Sequence, residues 1–410
     1  MTKIEIQNVG PLENVRLDLK KINIFMGPQS SGKSTIAKII SYCQWAEKRY
    51  IIDGEFEYEV KEQLQDFHRL SEGYFNDDSL IKYDTEFVEI TYRGRDLKSE
   101  FKLRSASKSY KKTKNIYIPS ERNFVSVIPN LSKYKETNDN IMSFVYDWFS
   151  AKRIFTHDNT LSILDLGVDF YNKSENDLDV LILKNKREIL LREGSSGLQS
   201  IIPLIVLVEY LTSYIYNAPV SISVHEKDSI RKYLLENFEE ILNSSFSDLV
   251  KKSKPEKISQ EDMDRMFKVY RQTLFRETYH STNLIIEEPE QNLFPATQRA
   301  LVNYLLIKVN SERDHTLLLT THSPYILYSL NNAMMGYNVR KQIDEDAKQE
   351  LESAQSWINP DLVSIWQVED GDIVSVKDES TKTVTKHYFN EITKDIMDEY
   401  YELLSYYEFD

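Results

Sequence analysis

The segment Gly27-Pro28-Gln29-Ser30-Ser31-Gly32-Lys33-Ser34-Thr35 limits what this chain can fold into more than any other stretch. It fits the phosphate-loop pattern GxxxxGK[ST] in the required context. The apolar run Ile22-Asn23-Ile24-Phe25-Met26 precedes it, and Ile36, Ile39, Ile40 and Cys43 follow at helical spacing. Two glycines let the loop curl until successive backbone N–H groups point inward, and the helix that follows adds the partial positive charge of its N-terminus. The pattern implies a bound nucleoside triphosphate, with Lys33 reaching the β- and γ-phosphates and the Ser34 hydroxyl reaching Mg²⁺.

With 410 residues the chain exceeds the roughly 250–300 at which one hydrophobic core stops growing, so a main domain with insertions is expected. A net charge of −14 argues against sequence-independent coating of nucleic acid, although a local basic face could still serve. The single cysteine, Cys43, falls on the core spacing of the helix after the phosphate loop and reads as a small buried residue, in keeping with a reducing cytoplasm. Met1-Thr2-Lys3-Ile4-Glu5-Ile6 alternates like a strand, unlike an export signal. The longest apolar run, 201–208, contains Pro203 and is far short of the roughly 20 residues of a membrane span, so a core helix is expected there and no membrane partner.

The expected fold class is α/β, a mostly parallel central sheet with an N-terminal antiparallel β subdomain and helical insertions. Ile4-Glu5-Ile6 and 15–19 alternate around Gly10-Pro11 as a hairpin, and 87–92 and 101–104 form two more strands. A short strand at 116–118 runs into Pro119-Ser120-Glu121-Arg122-Asn123, which closes a first part at 1–123. Residues 124–181 carry mixed helical signals and read as a helical insertion. The span 182–225 opens with a hairpin around Lys184-Asn185-Lys186-Arg187 and holds Ser195-Ser196-Gly197-Leu198-Gln199. Charged helical spacing over 226–281 reads as a second insertion, with Lys251-Lys252-Ser253-Lys254-Pro255 as a solvated turn. The span 282–340 returns to apolar runs of parallel-strand type. Residues 341–410 contain a hairpin at Asp370-Gly371 and a terminal helix rich in Tyr and Glu.

A second site narrows the chemistry. In Leu284-Ile285-Ile286-Glu287-Glu288-Pro289-Glu290 a buried strand delivers adjacent carboxylates at its end, where open α/β sheets place ligands. Glu287 is placed to hold Mg²⁺ through its water shell, and Glu288 to polarise the water that attacks the γ-phosphate. Leu317-Leu318-Leu319-Thr320-Thr321-His322 ends in an imidazole able to hydrogen-bond the γ-phosphate and that water. On these residues the candidate catalytic set is Lys33, Glu288 and His322.

The order of these motifs resembles that of ATP-binding-cassette (ABC) ATPases, in the non-transporter branch with SMC, RecF and the OLD-like prokaryotic defence ATPases. The similarity covers roughly 1–50, 84–123, 185–215 and 283–330. It implies ATP as the nucleotide. It also implies that Ser195, Ser196, Gly197 and Gln199 form the signature, which caps the γ-phosphate held by another subunit. Pro289-Glu290-Gln291-Asn292-Leu293-Phe294 stands in the D-loop place and 119–123 in the Q-loop place. Two departures stand out: Glu287 replaces an aspartate, and the Q-loop slot has no glutamine. Glu121, Arg122 and Asn123 are candidates to complete the shell, and Glu121 joins Ser34 and Glu287 as a metal candidate.

If the signature acts across an interface, ATP joins two copies of the chain and hydrolysis parts them. The resulting expectation is a cytoplasmic, Mg²⁺-dependent ATPase acting as sensor or scaffold for a separate effector, a nuclease or toxin, as in anti-phage systems. The alternative is a RecF- or SMC-like DNA-repair ATPase that contacts DNA, with Lys108, Lys111, Lys112 and Lys114 as its local basic run. A nuclease carrying its own OLD-type Toprim site is disfavoured, because Glu369-Asp370-Gly371-Asp372 reads better as a hairpin turn.

Overall fold

The computed structural model describes residues 2–53, 58–96, 98–128, 139–216, 279–378, 380–384 and 387–407. Contacts divide the chain into Met1–Ser213 with Ser281–Asp410, and Tyr214–His280. The architecture below is that of the first unit. Residues 217–278, with the end of the expected signature span, most of the 226–281 insertion and the 251–255 turn, lie outside the described residues.

The strands β1 (Thr2–Val9) and β2 (Leu12–Leu19) pair antiparallel, and β3 (Ile22–Met26) follows in the parallel part of the sheet. All five residues of β3 are buried, as expected of a strand covered on both faces. The phosphate loop then leads into α1 (Lys33–Asp53), which buries Ile36, Ile39, Ile40, Cys43 and Ala46 at helical spacing. Next come β4 (Leu80–Asp84), β5 (Val88–Arg93), β6 (Glu100–Leu103) and β7 (Thr113–Ile118).

The region expected to be a helical insertion at 124–181 is mixed instead. It contains α2 (Asn140–Lys152), N-capped by Asp139, whose carboxylate accepts from the Met142 amide at 2.9 Å. A small antiparallel sheet follows, with β8 (Leu161–Ser162), β9 (Asp169–Lys173), β10 (Leu178–Ile182) and β11 (Glu188–Leu190). Phe170, Tyr171, Val180 and Leu181 favour strand, and the turn between them needs the left-handed Asp177 (φ 52°). Each strand is too short for its period to stand out against the neighbouring helix. Trp148 of α2 packs on Phe170 with ring centroids 5.9 Å apart, so helix and sheet share one core.

Helix α3 (Ser196–Glu209) contains the 201–208 run, and every residue of that run is buried. With the turn after it, the segment Ser196–Tyr214 has the length and apolarity of a membrane span, yet 67% of that window lies inside the protein, the expected core helix. Pro203 cannot supply the N–H that would bond the Gln199 carbonyl, and the Ser126 hydroxyl donates to that carbonyl at 2.9 Å instead.

The remaining elements are β12 (Ser281–Glu287), α4 (Pro295–Val309), β13 (Thr316–Thr321), α5 (Pro324–Val339), β14 (Val363–Glu369), β15 (Asp372–Ser375) and α6 (Tyr388–Ser405). The large sheet has the order β6-β5-β4-β1-β2-β15-β14-β3-β13-β12-β7. Its centre, β14-β3-β13-β12-β7, is parallel throughout, and the antiparallel N-terminal strands continue it through the Asn14–Asp372 bridge. The chain is thus a mixed α/β protein with a large central sheet and a separate antiparallel sheet. Phe25, Leu318 and Ile285 face the same core as α1. Ile22, Ile24, Leu317 and Leu319 meet Val302, Leu305, Ile326 and Leu330 of α4 and α5 on the opposite side.

The Asp370-Gly371 turn expected from sequence forms, with φ of 51° and 80°, the left-handed pair of a tight hairpin. Strand β14 lies parallel to β3, pairing Val363 with Ile22 and Gln367 with Met26, a neighbour no local sequence signal announces. Helix α6 buries none of its residues and exposes Ile396 (60%), Tyr400 (55%) and Leu403 (63%) on one side.

Candidate functional site

Register brings the motifs to one edge. Thr321 is level with Met26, Glu287 with Thr320, and Ile286 with Ile118. The loops leaving β3, β12, β13 and β7 therefore emerge together at the carboxyl end of the parallel strands, the position at which such sheets hold ligands.

The phosphate loop is shaped by its glycines. Gly27 has φ 146°, and a Cβ there would lie 2.2 Å from the Val368 carbonyl oxygen of β14. Gly32 has φ 105°, and a Cβ would lie 2.4 Å from a Leu12 methyl. No other residue type fits either place without displacing its neighbour. Lys33 is buried, and its ammonium donates to the Gly27 carbonyl (3.0 Å), the Pro28 carbonyl (2.5 Å) and the Ser31 hydroxyl (3.3 Å). Burial pushes its pKa down to about 8, against the opposing fields of Glu288 and Glu290. Gln29, Ser30 and Ser34 are exposed on the loop, whereas Thr35 is buried.

At the end of β12, Glu287 is buried and its Oε1 has no hydrogen-bond partner, as is true of the Oγ1 of its register partner Thr320. Oxygen donors in this arrangement suit Mg²⁺, which takes one or two carboxylates and completes its shell with water and substrate phosphates. Among the described residues no group of three His, Cys, Asp or Glu is placed to hold a metal by itself. The fit is therefore to a metal that arrives with a nucleotide.

Glu288 turns sharply out of the strand with φ 40°, and its amide donates to the Thr320 carbonyl at 3.0 Å. Its Oε1 is 3.4 Å from Nε2 of His322. That imidazole holds the carboxyl below the usual carboxylate range, with Lys33 and Arg122 adding to the effect while burial opposes it. Glu290 behaves oppositely, because burial raises it. Its Oε1 accepts from the His322 amide (2.6 Å) and the Thr321 hydroxyl (2.9 Å), which fixes the turn presenting the imidazole. Two carboxyls driven apart in this way have different chemical capacities: one is held ionised and the other is structural.

Ser195 N-caps α3, accepting from the Leu198 amide at 3.4 Å, and Ser195 and Ser196 are exposed. A Cβ on Gly197 would lie 3.0 Å from the Asn292 carbonyl, so the start of α3 packs on the turn after Glu288. Gln199 Nε2 donates to the Arg192 (2.9 Å) and Gly194 (3.0 Å) carbonyls and so shapes the loop before the helix. The structure brings Lys33, Glu287, Glu288 and His322 together. Among the described residues it makes no hydrogen bond from 195–199 to 27–35.

In the 119–123 slot, Glu121 is exposed and accepts from the Ser120 hydroxyl at 3.1 Å. The buried member is Arg122, one of three residues the sequence left open. Glu290 and the Val368 wall were missed. A third carboxylate after Glu287 was the available signal for Glu290, while Val368 had none. The basic run is partly consumed in the fold, since Lys114 pairs with Asp147 at 2.7 Å and Tyr110 packs edge-on against Phe87.

No family model matches the chain, and no curated protein matches it. Among solved structures it is similar to the SMC head domain from Thermotoga maritima, with 10% identity over 92% of this chain and 98% of that chain and a TM-score of 0.40. A structure of the recombination mediator RecF shares 12% identity over 91% of this chain and 97% of that chain, with a TM-score of 0.31. A dimeric ATP-binding cassette bound to ADP and Pi shares 13% identity over 92% and 99%, with a TM-score of 0.29.

Proposed function

We propose that this chain is a cytoplasmic Mg²⁺-dependent ATPase of the ABC type whose site is completed by a second copy of itself. The observation that carries the reading is the single sheet edge on which Lys33, Glu287, Glu288 and His322 meet while the exposed start of α3 makes no bond to that loop.

Residues 27–35 would wrap the phosphates with backbone N–H groups, and Lys33 would exchange the Gly27 and Pro28 carbonyls for phosphate oxygens. Ser34 and Glu287 would hold Mg²⁺, with the exposed carboxylate of Glu121 adding a water-mediated contact. When bound, the metal supplies charge neutralisation on the β- and γ-phosphates. Glu288 takes a proton from the attacking water as its oxygen bonds to the γ-phosphorus and the bond to the β-phosphate oxygen breaks. ADP and phosphate leave. His322 orients that water and Glu288, and Ser195, Ser196, Gly197 and Gln199 of one copy form the cap over the other copy's γ-phosphate. Phe294, 75% exposed beside the turn after Glu288, supports a contact there between copies.

The uncovered apolar side of α6 supports a protein partner, and the motif order resembles ATPase subunits of anti-phage systems, so the effector is read as a separate nuclease or toxin. Co-purification with the product of the neighbouring reading frame tests that assignment.

A mixing experiment tests the composite site. K33A lacks a working phosphate loop and S196R lacks a working cap. Each alone is inactive, but their mixture should recover activity, up to about a quarter of wild type if the two sites work independently, because half of the pairs are mixed and each holds one intact site of two. A mixture as dead as its components rules the shared site out.

A further inference from the structure

Arg122 is fully buried, and all five of its N–H donors go to main-chain carbonyls. Nε donates to Ser200 (3.2 Å), one terminal nitrogen to Pro119 (3.3 Å) and Glu287 (2.9 Å), and the other to Glu288 (2.9 Å) and Pro289 (3.2 Å). Burial lowers its pKa to about 10, with Glu290, Glu288, Glu287 and Glu121 opposing, so it carries its charge at neutral pH. Burying a cation is costly, and a core that needed only volume would hold an apolar side chain. A planar, rigid fork that satisfies five carbonyls instead fixes three segments in one geometry.

Those segments are the Q-loop slot, the three consecutive carbonyls around Glu288, and Ser200 near the head of α3. A second tie runs beside it, from the Ser126 hydroxyl to the Gln199 carbonyl that Pro203 leaves free. Glu288 itself sits in the left-handed region, a conformation that persists only where its surroundings over-determine it. The bonds to the Glu287, Glu288 and Pro289 carbonyls supply that constraint.

Resting on the composite-site reading, we propose that Arg122 is a positioning residue that links a chain's own Glu288 to its own α3, and so makes the two sites of the pair cooperate. In such a pair each α3 caps the partner's nucleotide. The seating of α3 on ATP in the second site is then felt, through Arg122, by the carboxylate that works in the first. The link between the sites is the guanidinium.

The test compares full-length wild type with Arg122→Lys and Arg122→Gln. Lys keeps the charge with three donors on one atom, and Gln keeps two donors without charge. Wild type should hydrolyse ATP with a Hill coefficient above 1, the ceiling being 2 for two sites. Both variants should lose at least tenfold in kcat and fall to a Hill coefficient of 1, while binding of a non-hydrolysable ATP analogue stays within about threefold, as expected when an interaction acts on the transition state alone. A wild-type Hill coefficient of 1, or variants with wild-type kcat and cooperativity, overturns the inference. So does parallel loss of analogue binding and kcat, or failure of both variants to fold, since either makes Arg122 a residue of stability alone. The mixing experiment judges the composite site by recovery above its inactive components; coupling through Arg122 lowers that recovery below a quarter without abolishing it, so failure of the shared site, a mixture as dead as its components, is distinguishable from failure here.

Discussion

Nε2 of His322 stands 3.4 Å from Oε1 of Glu288, although β13 delivers one and β12 the other. The pair exists because Glu287 is level with Thr320 in a parallel ladder, so Glu288 and His322, the residues that follow the two strands, arrive within one position of each other. A general base whose orientation is set by an imidazole is expected to act on the γ-phosphate side of Lys33. The variant Glu288→Gln should lose about 10²- to 10⁴-fold in kcat, the range for removal of a general base. ATP binding should persist and paired chains should accumulate. Phosphate release and light scattering read both, and turnover at the wild-type rate would remove Glu288 from that role.

The lowered pKa of Lys33 gives a pH signature. In the free protein burial disfavours its charged form, down to about 8. Phosphate oxygens favour the charged form, so ATP binding raises this pKa and takes up a proton from about pH 8 upward. Affinity for ATP should weaken as pH rises through that range, and uptake from this group should vanish near pH 6.5, where Lys33 is already charged. Calorimetry in buffers of different ionisation heat measures the uptake, with Lys33→Met as the control that lacks it.

Gly27→Ala should damage binding and fold together. The new methyl meets the Val368 carbonyl at 2.2 Å, and φ of 146° is unfavourable for any side chain. A loss of more than about 1 kcal/mol is expected from the backbone term alone. Denaturant unfolding measures it, and an unchanged midpoint with intact ATP binding would contradict the close approach of β14 to the loop.

Helices α2 and α6 should respond oppositely to substitution. Trp148→Ala removes a fully buried ring from the α2 core and should cost about 3–5 kcal/mol. Ile396→Asp and Leu403→Asp fall on exposed positions of α6 and should stay within about 0.5 kcal/mol of wild type. Thermal melts of the three variants decide it, and a large loss at Ile396 would mean that α6 is covered.

Much of the site was legible because its parts are local. A glycine-rich loop between a strand and a helix, two carboxylates ending an apolar run, and an imidazole after the next run each lie within a few consecutive residues. The hairpins at 10–11, 185–186 and 370–371 were readable for the same reason. The small sheet at 161–190 was not, because two- to five-residue strands beside a helix leave no clear period in the sequence.

The sequence by itself determined the chemistry of each piece, since the spacing of Gly27, Gly32 and Lys33 and the pairing of Glu287 with Glu288 decide what a few adjacent residues can bind. Only the tertiary structure decided how the pieces meet. That β14 lies beside β3 and sets the Val368 carbonyl against Gly27 depends on pairing across most of the chain. That Arg122, rather than Glu121, faces inward depends on four carbonyls drawn from two distant segments, at Ser200 and at 287–289, besides that of Pro119 in its own turn. Long-range packing sets both, and no local periodicity carries its trace.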